Sequence, residues 1–117
     1  MKITTSAETS TVIFSYIEEF AGKDDMKIGY DLEDEEGRKL LSFYKDAEFP
    51  SKEIYISIQR KKIDKAGRIT YLVSVDFWGG TEFPERGRNR VDDYFDTVVN
   101  DIKALENEGY LVIEKIH

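Results

Sequence analysis

Two stretches in the middle of the chain alternate so regularly that they leave it little architectural choice. Between Glu53 and Arg60, Ile54, Ile56 and Ile58 fall on one side; between Arg68 and Trp78, Ile69, Tyr71, Val73, Val75 and Phe77 do the same. Side chains of an extended strand point alternately to opposite faces, so each run predicts a strand with one buried face. Asp64-Lys65-Ala66-Gly67 between them supplies turn chemistry, and the pair reads as a β-hairpin. A sheet with one apolar face needs a second layer to cover it.

Helical spacing elsewhere supplies that layer. From Val91 onward, Val91, Tyr94, Phe95, Val98, Ile102 and Leu105 recur every three or four residues, and Gly109 closes the run. Residues 6–21 predict an earlier helix with Ile13, Ile17, Phe20 and Ala21 on one face, Thr5 and Glu8 at capping-box spacing, and Gly22 as its end. The β-branched run Thr11-Val12-Ile13 leaves a strand as the alternative there. Met26 to Leu32 alternates, with Ile28, Tyr30 and Leu32 on one side, and Asp34-Glu35-Glu36-Gly37 turns it into Arg38 to Lys45 as a first hairpin. Residues 79–90, with three of the eight glycines, read as the main loop, and Tyr110 to Ile116 as a final strand. The expected fold is therefore α+β: a two-layer domain, an antiparallel sheet of about five strands with two helices on one face, in the order α-β-β-β-β-α-β. At 117 residues the chain, 1–117, is sized for one such domain.

Composition narrows the chemistry. The absence of cysteine removes disulfides, thiol nucleophiles and thiolate metal sites, and points to a reducing compartment. The one histidine is His117, which removes histidine metal clusters and the usual Ser-His and Cys-His pairs. No nucleotide-binding glycine pattern is present, and no cofactor or metal is expected. Val12-Ile13-Phe14 is far too short for a signal-peptide core or membrane span, so the expectation is a cytoplasmic protein that does not engage membranes. A net charge of -7 argues against direct nucleic-acid binding.

Four surface features carry the functional expectations. Acidic residues cluster between Asp24 and Glu36, and again along the last helix, where Asp92, Asp93 and Asp96 either form a solvated face or offer an electronegative surface to a basic partner. Ahead of that helix, Arg86, Arg88 and Arg90 gather three guanidinium groups that either bind an anion at the helix N-terminus or pair with the aspartates downstream. On the second hairpin, Tyr55, Ser57 and Gln59 share a side with Thr70, Leu72, Ser74, Asp76 and Trp78, a face that is either open for docking or covered by helices. The basic tip Arg60-Lys61-Lys62, with Lys65 and Arg68, reads as a positive pole opposite the acidic regions.

These features favour a non-enzymatic, acidic protein-binding domain, an inhibitor or neutralising partner of a larger basic protein in the manner of toxin-immunity or phage anti-defence proteins. Its expected contacts are Tyr55, Leu72, Trp78, Asp92, Asp93 and Asp96. The alternative is a small-anion or nucleotide sensor built on Arg86, Arg88 and Arg90. A third reading, a hydrolase using the carboxylates Asp76, Glu82 and Glu85, has only their proximity to a glycine-rich loop behind it. A homodimer through the C-terminal strand is a further expectation, since Leu111, Val112 and Ile113 leave backbone donors for a partner.

Overall fold

The computed structural model describes residues 1–33, 39–46, 53–78 and 84–116, with backbone alone for Asp46, Glu53, Phe77, Trp78 and residues 84–90. Its elements are β1 (Lys2–Thr5), α1 (Ser10–Lys23), β2 (Lys27–Glu33), β3 (Lys39–Asp46), β4 (Glu53–Ile63), β5 (Ile69–Trp78), α2 (Pro84–Asn107) and β6 (Val112–Lys115). The six strands form one sheet in the order β2-β3-β4-β5-β1-β6, and every pairing is antiparallel. The two-layer α+β architecture is the expected one.

The expected order of helices and strands is observed with one addition. β1 precedes α1 and fills the place between β5 and β6, with Ile3 opposite both Tyr71 and Ile113. Thr5 accordingly ends a strand instead of opening a helix, and the capping box with Glu8 does not form. Thr9 is the residue before α1, and no side-chain cap bond is made there.

Both helices cover one face. Ile54, Ile56 and Ile58 of β4 are buried there with Leu41 and Phe43 of β3, Tyr71 and Val73 of β5, and Ile3. α1 contributes Ile13, Ile17 and Ala21, and α2 contributes Val98 and Ile102 to the same core. Phe14 meets Tyr71 edge-on at 5.2 Å, and Phe20 meets Tyr94 edge-on at 6.0 Å, so aromatic contacts tie α1 both to the sheet and to α2.

The helix ends explain two departures from the sequence reading. α1 runs through Gly22 to Lys23, because Asp25, at φ 54°, adopts the left-handed conformation that closes it. Met26 N donates to Ala21 O at 2.9 Å and Asp25 N to Gly22 O at 3.3 Å, the bond pair of a Schellman close. α2 ends the same way at Gly109, φ 87°, as its glycine announces. Its start is earlier than expected. Pro84 to Arg90 are helical, not loop. A proline is well placed at a first helical position, and an opening turn without apolar residues leaves no period to read.

β2 corrects a third expectation. Ile28 pairs with Phe43, but Tyr30 pairs with the adjacent Ser42, so a bulge at Gly29 puts Ile28 on the helix side and Tyr30 and Leu32 on the other. Glycine suits the position: a Cβ there would lie 3.3 Å from Tyr44 Cδ1 and 3.5 Å from the Ser42 carbonyl oxygen. At the second hairpin the sequence reading holds. Asp64 Oδ1 accepts the amides of Ala66 and Arg68, both at 2.9 Å, and Gly67 takes φ 81°.

Candidate functional site

The side chains that alternate with the buried isoleucines define the outer face of the sheet. Across β2 to β5 the register aligns Tyr30 with Ser42, Ser57 and Ser74, and aligns Leu32 with Leu40, Gln59 and Leu72. A third row carries Tyr44, Tyr55 and Asp76. Both helices lie on the opposite face, so no described helix covers these rows. Among the described residues, the face that carries Tyr55 and Leu72 is thus the one left open by the helices.

A shallow depression of about 530 Å³ is set into it, lined by Gly29, Tyr30, Leu40, Ser42, Tyr44, Tyr55 and Ser57. Tyr30 is 58% exposed and Leu32 55% exposed at the β2 end. Burial, with the charge and hydrogen bonding of Asp76 opposite, pushes the Tyr55 hydroxyl above its ordinary range, so it stays a neutral donor and acceptor throughout physiological pH. The depression offers tyrosine rings, hydroxyls and one leucine.

The helical side presents a different surface. Phe20, Lys23, Asp24, Asp93, Tyr94, Thr97 and Asp101 line a groove of about 460 Å³ between α1 and α2. Its polar groups are mutually engaged. Tyr16 Oη donates to Asp101 Oδ2 at 2.6 Å, Tyr94 Oη donates to Asp24 Oδ2, and Lys45 Nζ lies 3.3 Å from the same Asp24 oxygen and 5.9 Å from the centre of the Tyr94 ring. Burial, reinforced by these carboxylates, raises the Tyr16 hydroxyl well above its usual range and raises the Tyr94 hydroxyl too, there against the opposing pull of Lys45.

The expected contact residues therefore divide between two surfaces. Tyr55 and Leu72 lie on the open sheet face, whereas Asp92, Asp93 and Asp96 are exposed on α2, on the helical side of the molecule. Trp78 ends β5 with its backbone opposite Glu53, and its side chain is outside the described residues. Arg86, Arg88 and Arg90 lie within the first two turns of α2 and not in a loop ahead of it, with Arg86 in the first turn; their side chains are likewise outside the described residues. Asp76 is exposed beside Tyr55, Glu85 lies within the first turn of α2, and Glu82 is outside the described residues, so Asp76 is the one member of this set whose side chain is described. The acidic turn at 34–36 also falls outside them.

Within the basic tip, Arg68 Nε pairs with Asp64 Oδ2 at 2.9 Å. Arg60 Nη2 binds Glu33 Oε1 at 3.3 Å, which sets the second hairpin against the first. The β6 edge expected to dimerise is four residues long, with Glu114 and Lys115 exposed on it. Sequence reasoning overlooked Gly29, Tyr30, Leu40 and Tyr44. Their signal was the alternation of 27–33 and 39–46, obscured by the one-residue slip at the bulge.

Among the described residues no group of three His, Cys, Asp or Glu side chains is placed to hold a metal ion, and no helix is long and apolar enough to cross a membrane. In comparisons with protein-family models, curated proteins and solved structures, nothing matches the chain.

Proposed function

We propose that this chain is a non-enzymatic protein-binding domain that docks through its open sheet face and acts as an inhibitor or neutralising partner of a larger, basic protein. The observation that carries the reading is the sheet face that no described helix covers, bearing Tyr30, Tyr44 and Tyr55 among Ser42, Ser57 and Ser74. Tyrosine supplies large, rigid, amphipathic contact area at a low entropy cost, while serine supplies adaptable hydrogen bonding. That combination suits recognition of a protein surface better than it suits catalysis. The exposed aspartates of α2 and the net charge of -7 contribute at longer range, by drawing in a basic partner before contact.

Affinity capture from native cells tests the reading, with the unaltered chain, a Tyr44→Ser/Tyr55→Ser variant and an Asp92→Asn/Asp93→Asn/Asp96→Asn variant. The expected result is a stoichiometric partner that the tyrosine variant loses and the aspartate variant retains, with slower association and a weaker salt dependence. Retention by a folded tyrosine variant would remove the open face from the account.

A further inference from the structure

The open face ends at a strand built to be extended. β2 lies at the sheet edge, every one of its seven residues is exposed, and among the described strands only β3 pairs with it. A sheet edge presents a row of backbone N–H and C=O groups that a further strand can satisfy, and folded proteins usually blunt such edges. The opposite edge is blunted: β6 is four residues long and carries charged residues at its end. β2 is nearly twice as long and keeps Tyr30 and Leu32 more than half exposed.

We propose that β2 takes an extended segment of the protein partner as a seventh strand, and that this segment alternates apolar and basic residues. The proposal rests on the docking reading above and specifies how the partner engages. The pattern follows from the register. Tyr30 and Leu32 point to the open face, and Asp31 and Glu33 to the helix side, because they pair with Leu41 and Lys39. Residues directly across a strand pair interact, so an added strand gains from apolar side chains beside Tyr30 and Leu32 and from Lys or Arg beside Asp31 and Glu33. Glu33 already accepts Arg60, yet its side chain is 60% exposed, and a carboxylate has room for a second donor.

Charge selects against a second copy of the chain in the same place. Two copies of net charge -7 repel each other, and self-pairing centred on Asp31 or on Leu32 would set carboxylate opposite carboxylate, while the register centred on Tyr30, with Lys27 opposite Glu33, leaves the net-charge repulsion alone to oppose it. A basic segment meets neither obstacle.

The experiment titrates the full chain with three blocked octapeptides: alternating Val and Lys, the same composition ordered in pairs, and alternating Val and Glu. Amide NMR shifts and amide exchange are followed, and sedimentation velocity reports the state of the protein alone. The alternating Val-Lys peptide is expected to bind about tenfold or more tighter than either of the others, to protect amides within 27–33, and to weaken about tenfold with Asp31→Lys. Asp31 is exposed, so that variant folds. Equal binding of the two Val-Lys peptides, binding insensitive to Asp31→Lys, or perturbation confined to other strands would overturn the proposal. A dimer of the protein alone that Asp31→Lys alters would overturn it in favour of a second copy. If no peptide binds while partner capture still depends on Tyr44 and Tyr55, strand addition falls and the docking reading stands; if capture ignores the tyrosines while the Val-Lys peptide still binds β2, the reverse holds.

Discussion

Tyr16 shows how much a single polar contact does between the helices. Its hydroxyl reaches from α1 to Asp101 of α2, and burial holds it protonated well above the ordinary tyrosine value of 10.0. In the unfolded chain the same hydroxyl ionises near 10.0, so above that pH the native state holds a proton that the unfolded state has released. The stabilisation is therefore complete below about pH 10 and declines as pH rises beyond it. Urea melts at pH 8 and pH 11 should show this loss, and Tyr16→Phe should lessen it while lowering stability by about 1 kcal/mol at pH 8. A variant as sensitive to alkali as the unaltered chain would contradict the assignment. Asp25 gives a second test, because its φ of 54° is strained for a residue with a Cβ. Asp25→Gly should stabilise by about 0.5 to 1 kcal/mol in the same melts. Neither contact was legible beforehand: Tyr16 and Asp101 are 85 residues apart, and an aspartate gives no local sign that it will be left-handed.

The elements were more legible where burial is one-sided. Ile54, Ile56 and Ile58 of β4 and Ile69, Tyr71 and Val73 of β5 face the core as their alternation requires, and Ile58 is fully buried. Ile58→Ala should cost about 2 to 5 kcal/mol, from lost transfer energy and the cavity left in a sheet covered by both helices. β1 was missed because four residues give too short an alternation to separate from an extended lead-in. The opening of α2 was missed because apolar periodicity cannot report turns that lack apolar residues. Gly22 misled in the other direction. It reads as a terminator, but it lies inside α1, and beyond its chain neighbours and its own helix backbone no described atom lies within 4 Å of where a Cβ would be. Gly22→Ala should accordingly raise stability by about 0.5 to 1 kcal/mol, measured by chemical unfolding.

For the molecule as a whole, the two-layer architecture followed from order and periodicity, whereas the face on which the helices sit did not. Tyr55 and Leu72 could be assigned to one side of the second hairpin, but only the packing of Ile13, Ile17, Val98 and Ile102 shows which side is covered. The bulge at Gly29 then brings Tyr30 to that open side, and its effect on register has no local signature in the alternation. The resulting division of labour makes a kinetic prediction. If α2's aspartates act before contact and the tyrosine face acts in it, raising salt should slow association with the captured partner and leave dissociation nearly unchanged.

Amide hydrogen exchange on the protein, free and bound to that partner, tests the central claim most directly. The account predicts that protection gained on binding falls on β2, β3 and β4, and that the solvent side of α2 exchanges as it does in the free protein. Protection concentrated on α1 and α2, with β2 to β4 unchanged, would contradict it and move the docking surface to the helical side.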